Sequence, residues 1–203
     1  MKRFKAVIFD LGGVLSLGQR YRGVHKMVAK KLNMSVDQYF DSIDEVYSDA
    51  ISGKIPQQKA LDLMAKNLGT SSSKLKKIYF QAYRKNFKRN ESLYSVAIKL
   101  KGCGYKISII SDIWSIAEKA LLDKKNYPEF NDIVVSYKIG VRKTNPKIFR
   151  IALKRLKINP KEAIFTDNRA WNLVAPKELG MTPILYKNTK QFIKELKRLG
   201  IDI

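Results

Sequence analysis

The chain has 203 residues, 45% of them hydrophobic, which is enough to bury a substantial α/β core with a small insertion. It carries 40 Lys and Arg against 18 Asp and Glu, a net charge of +22, with a single cysteine, Cys103, and a single histidine, His25. An internal disulfide is thereby excluded, and no apolar run has the length of a bilayer span or of a signal-peptide core, so a soluble cytoplasmic protein with no membrane partner is expected.

The charge speaks to association rather than to fold, and it favours phosphorylated metabolites, nucleic acid and anionic surfaces alike. The basic residues are mostly lysines spread over every segment. That distribution suits phosphate steering better than the clustered arginines of a nucleic-acid reader, so nucleic acid is kept as a lesser alternative. Cys103 sits in Lys-Gly-Cys-Gly-Tyr, a turn, and reads as an incidental thiol.

In chain order, Ala6 to Phe9 is an apolar run too short for a helix, as expected of a strand buried on both faces of a parallel sheet. It ends on Asp10, and Gly12 and Gly13 follow, where amides of a sharp turn can point at an anion. An ordinary Asp/Gly turn is the bland alternative. From about Tyr21 the pattern turns helical: Val24, Met27, Val28 and Leu32, then Tyr39, Phe40, Ile43 and Val46 behind a Ser35 cap. A third helix carries Ala60, Leu61, Met64 and Leu68, and a fourth Leu75, Ile78, Tyr79, Ala82 and Tyr83. No strand signal occurs between Leu17 and Asn90.

After Ser92 a helix through Leu93, Val96, Ala97 and Leu100 stops at the Gly102-Cys-Gly turn, and Lys106-Ile-Ser-Ile-Ile reads as a buried strand ending at Ser111-Asp112. Ser-Asp is also an ordinary N-cap for a helix over Ile113 to Leu122. Ile133-Val-Val is a third strand, followed by Gly140-Val-Arg-Lys-Thr-Asn-Pro-Lys-Ile-Phe with Lys143 inside it. Ala163-Ile-Phe-Thr-Asp-Asn is a fourth strand ending in Asp167 and Asn168, then Asn172, Ala175, Gly180 and Met181. Pro183-Ile-Leu-Tyr gives a fifth strand, and Gln191 to Leu199 a closing helix.

Four stretches, in this order, resemble the motifs of the haloacid dehalogenase-like hydrolases: a strand ending in Asp10, a strand ending in Ser111, Lys143 before Pro146, Ile148 and Phe149, and Asp167 before Asn172, Gly180 and Met181. The resemblance implies an α/β fold, a doubly wound, mostly parallel Rossmann-like sheet core over residues 1–16 and 91–203, with a small α-helical cap inserted at residues 17–90. It further implies a Mg²⁺-dependent phosphomonoesterase acting on a small phosphorylated metabolite, with Asp10 as the nucleophile that becomes an aspartyl-phosphate.

In that reading Ser111 and Lys143 hold the phosphoryl group, Gly12, Gly13 and Asp112 border the substrate, and Asp10, the Gly12 carbonyl, Asp167 and Asn168 hold the metal. Arg20, Tyr21, Arg22, His25 and Tyr47 are polar candidates for the cap's inner face, with surface or core packing the plainer reading of each. Trp114 and Trp171 are expected to pack in the core or against the cap. The chain departs from the family pattern at three positions. Gly12 stands where the family's phosphatases place a second Asp as general acid/base, Asn168 replaces a second acid, and Thr144 replaces a Pro. A binding or regulatory protein on the same fold, with its chemistry weakened, is the alternative that Gly12 and Asn168 suggest. The resemblance leaves the oligomeric state open.

Overall fold

The computed structural model describes residues 3–18, 21–122 and 126–203. Five strands form one parallel sheet: β1 (Ala6–Phe9), β2 (Lys106–Ser111), β3 (Asp132–Val135), β4 (Ala163–Asp167) and β5 (Thr182–Leu185), in the order β3-β2-β1-β4-β5. β1 is central, and all four of its residues are buried. The first β1 crossover leads to β2 on one side and a later one to β4 on the other, so the order of strands reverses at β1, and a crevice opens at the carboxyl ends there. The register places Phe9 beside Ile109 of β2 and Thr166 of β4. Asp10, Ser111 and Asp167, one or two residues beyond these points, are thereby brought to one edge of the sheet.

Both faces of the sheet are covered. Val7, Phe9, Ile107 and Ile109 belong to a large apolar cluster with residues of α5 (Glu91–Gly102), α6 (Ser115–Leu121) and α10 (Thr189–Arg198). Ala6, Ile8, Ile110 and Phe165 belong to a second cluster with α8 (Pro146–Leu156) and α9 (Val174–Glu178). Alternate residues of β1 thus face opposite layers, as the pleat requires. The fold is a doubly wound α/β sheet, parallel throughout.

Between β1 and α5 lie α1 (Tyr21–Lys31), α2 (Val36–Ile51), α3 (Gln57–Asn67) and α4 (Ser72–Asn86), and their apolar faces join the first cluster. Local chemistry sets their ends. Ser35 and Gln38 form a capping box on α2, and the Ser71 side chain accepts from the Lys74 amide at the start of α4. The chain enters and leaves this block through paired segments. The Leu17 amide donates to the Lys88 carbonyl at 2.8 Å, and the Asn90 amide donates to the Leu15 carbonyl at 2.8 Å. Gly18 lies so close to the Asn86 carbonyl that a Cβ there would stand 1.5 Å from the oxygen. Arg20 lies outside the described residues, as do the side chains of Tyr21 and Arg22.

The structure corrects the sequence reading at one element and adds another. The helix expected from Ile113 begins at Ser115, with Trp114 as its N-cap and no side-chain cap bond, so Ser111 ends a strand and is not a helix cap. A short helix, α7 (Ser136–Ile139), follows β3, an element for which the sequence reading had no assignment. Four residues carry no legible period. The turn is fixed from outside, by Ser136 Oγ donating to the Ile51 carbonyl at 2.7 Å and accepting from the Ile113 amide at 3.0 Å. Among the described residues no helix is long and apolar enough to cross a membrane.

Candidate active site

A cleft of about 120 Å³ opens at the carboxyl ends of β1, β2 and β4, a size suited to a small ligand. Its floor includes Asp10, Gly12, Ser111, Asp112 and Lys143. Four of these were singled out from strand ends, and the topology explains their meeting: three neighbouring parallel strands stop at the same level. Lys143 comes from the loop before α8. That loop is held by Asp112, whose carboxylate accepts from the Lys143 amide at 2.9 Å and pairs with Arg142 at 3.4 Å. The side chain of Asp112 is therefore spent on positioning the lysine loop.

The Lys143 ammonium is buried between two carboxylates, 2.5 Å from Asp10 Oδ1 and 2.6 Å from Asp167 Oδ2. Asp167 is fully buried and fixed in turn, its Oδ1 accepting from the Arg169 amide at 2.8 Å and its Oδ2 from Asn172 Nδ2 at 3.0 Å. A buried charge without such partners would be far more costly than the pairing itself. Burial pushes the Asp10 carboxyl up to about 7, against the pull of the Lys143 ammonium, with the Asp167 charge adding to the rise. For Lys143, burial works to lower the pKa, but Asp10, Asp167 and Asp112 outweigh it and hold the side chain as an ammonium above the usual lysine range.

The two glycines differ. Gly13 has φ +85, and a Cβ there would lie 2.3 Å from Asn168 Nδ2, so its missing side chain is what lets Asn168 pack against the turn. A Cβ on Gly12 would meet nothing within 4 Å, and Gly12 faces the cleft directly. Asn168 is exposed and is not among the residues lining the cleft.

The roof comes from the helical block. Val24 and His25 of α1, Tyr47 and Ile51 of α2 and Tyr83 of α4 face the floor. His25 is buried, with Nδ1 3.0 Å from the Tyr39 hydroxyl, and Tyr39 is hydrogen-bonded to Tyr79. Tyr47 and Tyr83 share a hydroxyl hydrogen bond of 2.8 Å, and Trp114 Nε1 donates to Tyr83 at 3.0 Å. Burial lowers the His25 pKa to about 4, so its imidazole is neutral near pH 7. Of the cap residues named from sequence, His25 and Tyr47 reach the cleft. Tyr83, Arg142 and Arg169, which also line it, were missed. Arg142 adjoins the motif lysine, a usable signal, whereas Tyr83 reads as one more apolar stripe residue. Trp114 is buried as expected, and Trp171 is largely exposed, contrary to the packing expected of it, with Arg169 over its ring at 5.7 Å.

The groups that the family resemblance offers to a cation, the carboxylates of Asp10 and Asp167, the Gly12 carbonyl and the Asn168 carboxamide, carry only oxygen donors. Among the described residues no group of three or more His, Cys, Asp or Glu is placed to hold a metal ion. An all-oxygen set with two carboxylates suits a hard cation such as Mg²⁺ and is poor for a soft one.

Residues 4–180 match the profile of the haloacid dehalogenase-like hydrolases. Over 217 aligned positions the chain is 25% identical to bifunctional epoxide hydrolase 2 of Mus musculus, covering 96% of this chain and 38% of that protein. The chain therefore spans less than two fifths of that relative. It is 25% identical over 179 residues to glyceraldehyde 3-phosphate phosphatase of Methanopyrus kandleri, covering 81% of this chain and 76% of the relative. The structure superposes on a HAD family enzyme of Bacteroides thetaiotaomicron, solved with magnesium and inorganic phosphate, with a TM-score of 0.74 and 20% identity over 91% of this chain and 94% of the other, a likeness of fold.

Proposed function

The chain belongs to the haloacid dehalogenase-like hydrolase family, and from that premise we propose that it is a Mg²⁺-dependent phosphatase of a small phosphorylated metabolite. The observation that carries this reading is the buried Asp10–Lys143–Asp167 array at the floor of the cleft, with Ser111 at the same sheet edge. The phosphatase among its relatives and the fold-mate solved with magnesium and phosphate support it.

Asp10 attacks phosphorus with a carboxylate oxygen, forming an aspartyl-phosphate and releasing the leaving oxygen, and water then attacks the same phosphorus to restore the carboxylate. Lys143 holds Asp10 Oδ1, orienting the carboxylate and balancing charge that builds on the phosphoryl oxygens. Asp167, itself fixed by Asn172 and the Arg169 amide, keeps the ammonium pointed at Asp10. Ser111 donates its hydroxyl to a phosphoryl oxygen. Asp10, the Gly12 carbonyl, Asp167 and Asn168 are the groups that would hold Mg²⁺, whose bound charge neutralises phosphate oxygens. Helices α1 to α4 act as a cap: their neutral roof excludes water and selects the substrate.

Phosphate release from a panel of phosphorylated sugars, nucleotides and acids, with and without Mg²⁺, tests this. Asp10→Asn is expected to lower Mg²⁺-dependent release by at least roughly a thousandfold. Equal inactivity of both proteins over the panel would overturn the reading and favour a binding role on this fold.

A further inference from the structure

The cleft holds a nucleophile, a cation and hydroxyl donors, but no side chain stands two residues beyond the nucleophile. Gly12 faces the cleft there, and space for at least a Cβ stands open above it. An alkoxide leaving from phosphorus is a strong base and needs a proton as the bond breaks, whereas a carboxylate or phenolate leaves as a stable anion.

The side chains facing the cleft that could act as acids are hydrogen-bonded or paired within the protein, and Arg142 and Arg169, which also line it, are too basic to give up a proton. Asp112 accepts from the Lys143 amide and pairs with Arg142. Lys143 lies between Asp10 and Asp167. Tyr47 and Tyr83 are hydrogen-bonded to each other, and Trp114 donates to Tyr83. His25 is bonded to Tyr39, packed edge-on to the Tyr47 ring at 4.9 Å, and neutral near pH 7, so it carries no proton to spare as an acid. The rest of the lining is the apolar Leu11, Val24, Ile51, Ile113 and Leu121 and the polar Ser111, Arg142, Arg169 and Asn172, none of them an acid able to protonate a leaving oxygen near pH 7.

Resting on the phosphatase reading, we infer that this site acts on phosphoryl groups whose leaving oxygen departs as a stable anion, acyl and aryl phosphates, in preference to phosphates of alcohols and sugars. In the first step the Asp10 oxygen forms the bond to phosphorus, and the electron pair of the breaking P–O bond stays on the leaving oxygen, which departs unprotonated. In the second, water adds to the aspartyl-phosphate, the Asp10–phosphorus bond breaks, and both water protons remain on the phosphate product as Asp10 regains its charge. No proton from a protein side chain is needed in either step.

The test compares kcat/KM, with Mg²⁺, for acetyl phosphate, for a series of phenyl phosphates whose phenols differ in acidity, and for glucose 6-phosphate. In the wild type the rate is expected to fall steadily as the phenol becomes less acidic, with glucose 6-phosphate on the order of 10²–10⁴-fold below acetyl phosphate. Gly12→Asp, which the open space admits, is expected to raise glucose 6-phosphate turnover at least tenfold more than acetyl phosphate turnover and to flatten the phenol series. A wild-type series that is flat, with the sugar phosphate equal to acetyl phosphate, overturns this inference and leaves the phosphatase reading standing. Absence of release from every probe overturns both. The wild-type series decides the matter even where the variant does not fold.

Discussion

The floor and the roof of the cleft are both buried and both polar, yet they are built on opposite electrostatic principles. The floor is ionic: one ammonium between two carboxylates, each carboxylate held further by an amide or carboxamide or by a strand end. The roof is neutral, a set of tyrosine hydroxyls, a histidine and an indole linked across α1, α2, α4 and the start of α6. Charge in a low-dielectric place costs several kcal/mol per ion unless paired, and in the phosphatase proposed above it would meet the charged phosphoryl group. In that proposal the roof would meet whatever is attached to the group, and neutral hydrogen bonds fix its shape without adding to the field below. Reaction and selection are thus assigned to different kinds of interaction.

Removing the cation should break this contrast most severely. Lys143→Met leaves Asp10 and Asp167 buried without their shared partner and is expected to cost about 3–5 kcal/mol in urea denaturation and to abolish phosphate release. A Met at this site that left stability unchanged would mean the carboxylates are not held by the ammonium. Adding a charge to the roof is the converse experiment, and acid performs it. His25, faced by Tyr39, Tyr47 and Tyr79, has a folded pKa near 4 against about 6.5 for the unfolded chain, so between these values the unfolded state binds the proton that the folded state refuses. The contribution is complete above pH 6.5 and is lost as the pH falls toward 4, by about 3 kcal/mol. Urea midpoints measured over that range should show it in the wild type, and His25→Gln should remove that part of the slope.

A third substitution sharpens the comparison at the joint between the halves. Gly53, just beyond α2, has φ +68, and a Cβ there would lie 2.2 Å from the Tyr137 carbonyl of α7. Gly53→Ala should cost about 1–3 kcal/mol through backbone strain and displacement of this contact, and, because Ile51 also lines the roof, it should raise KM more than it lowers kcat. Thermal denaturation and steady-state kinetics check the two parts.

The same contrast governs what could be read from the sequence. The floor was legible because its residues sit at the ends of short apolar strands, and a parallel sheet with one switch point has little choice about which strand ends become neighbours. Asp10, Ser111 and Asp167 could be placed in this way, and Lys143 through its flanking Gly140 and Pro146. The roof was not legible. Tyr39, Tyr47, Tyr79 and Tyr83 all fall on apolar stripes that any buried helix would show, and their hydroxyl partners lie up to 40 residues away in sequence on other helices. The helix start at Ser115 and the short α7 were likewise set by tertiary bonds to Ser136 that no local pattern announces.

The paired segments through which the chain enters and leaves α1 to α4 have a further consequence, for how the sheet can assemble. Ala6 and Lys106 are register partners separated by about 100 residues of chain, and the entropy of closing a loop grows with its length. Once the helical block has packed and Leu17 is bonded to Lys88, about 70 of those residues no longer count, and roughly 30 remain to be closed. Uniting β1 with β2 then costs about 1 kcal/mol less than it would for an open chain. An insertion that doubles back on its own entrance shortens the kinetic distance between the strands it interrupts.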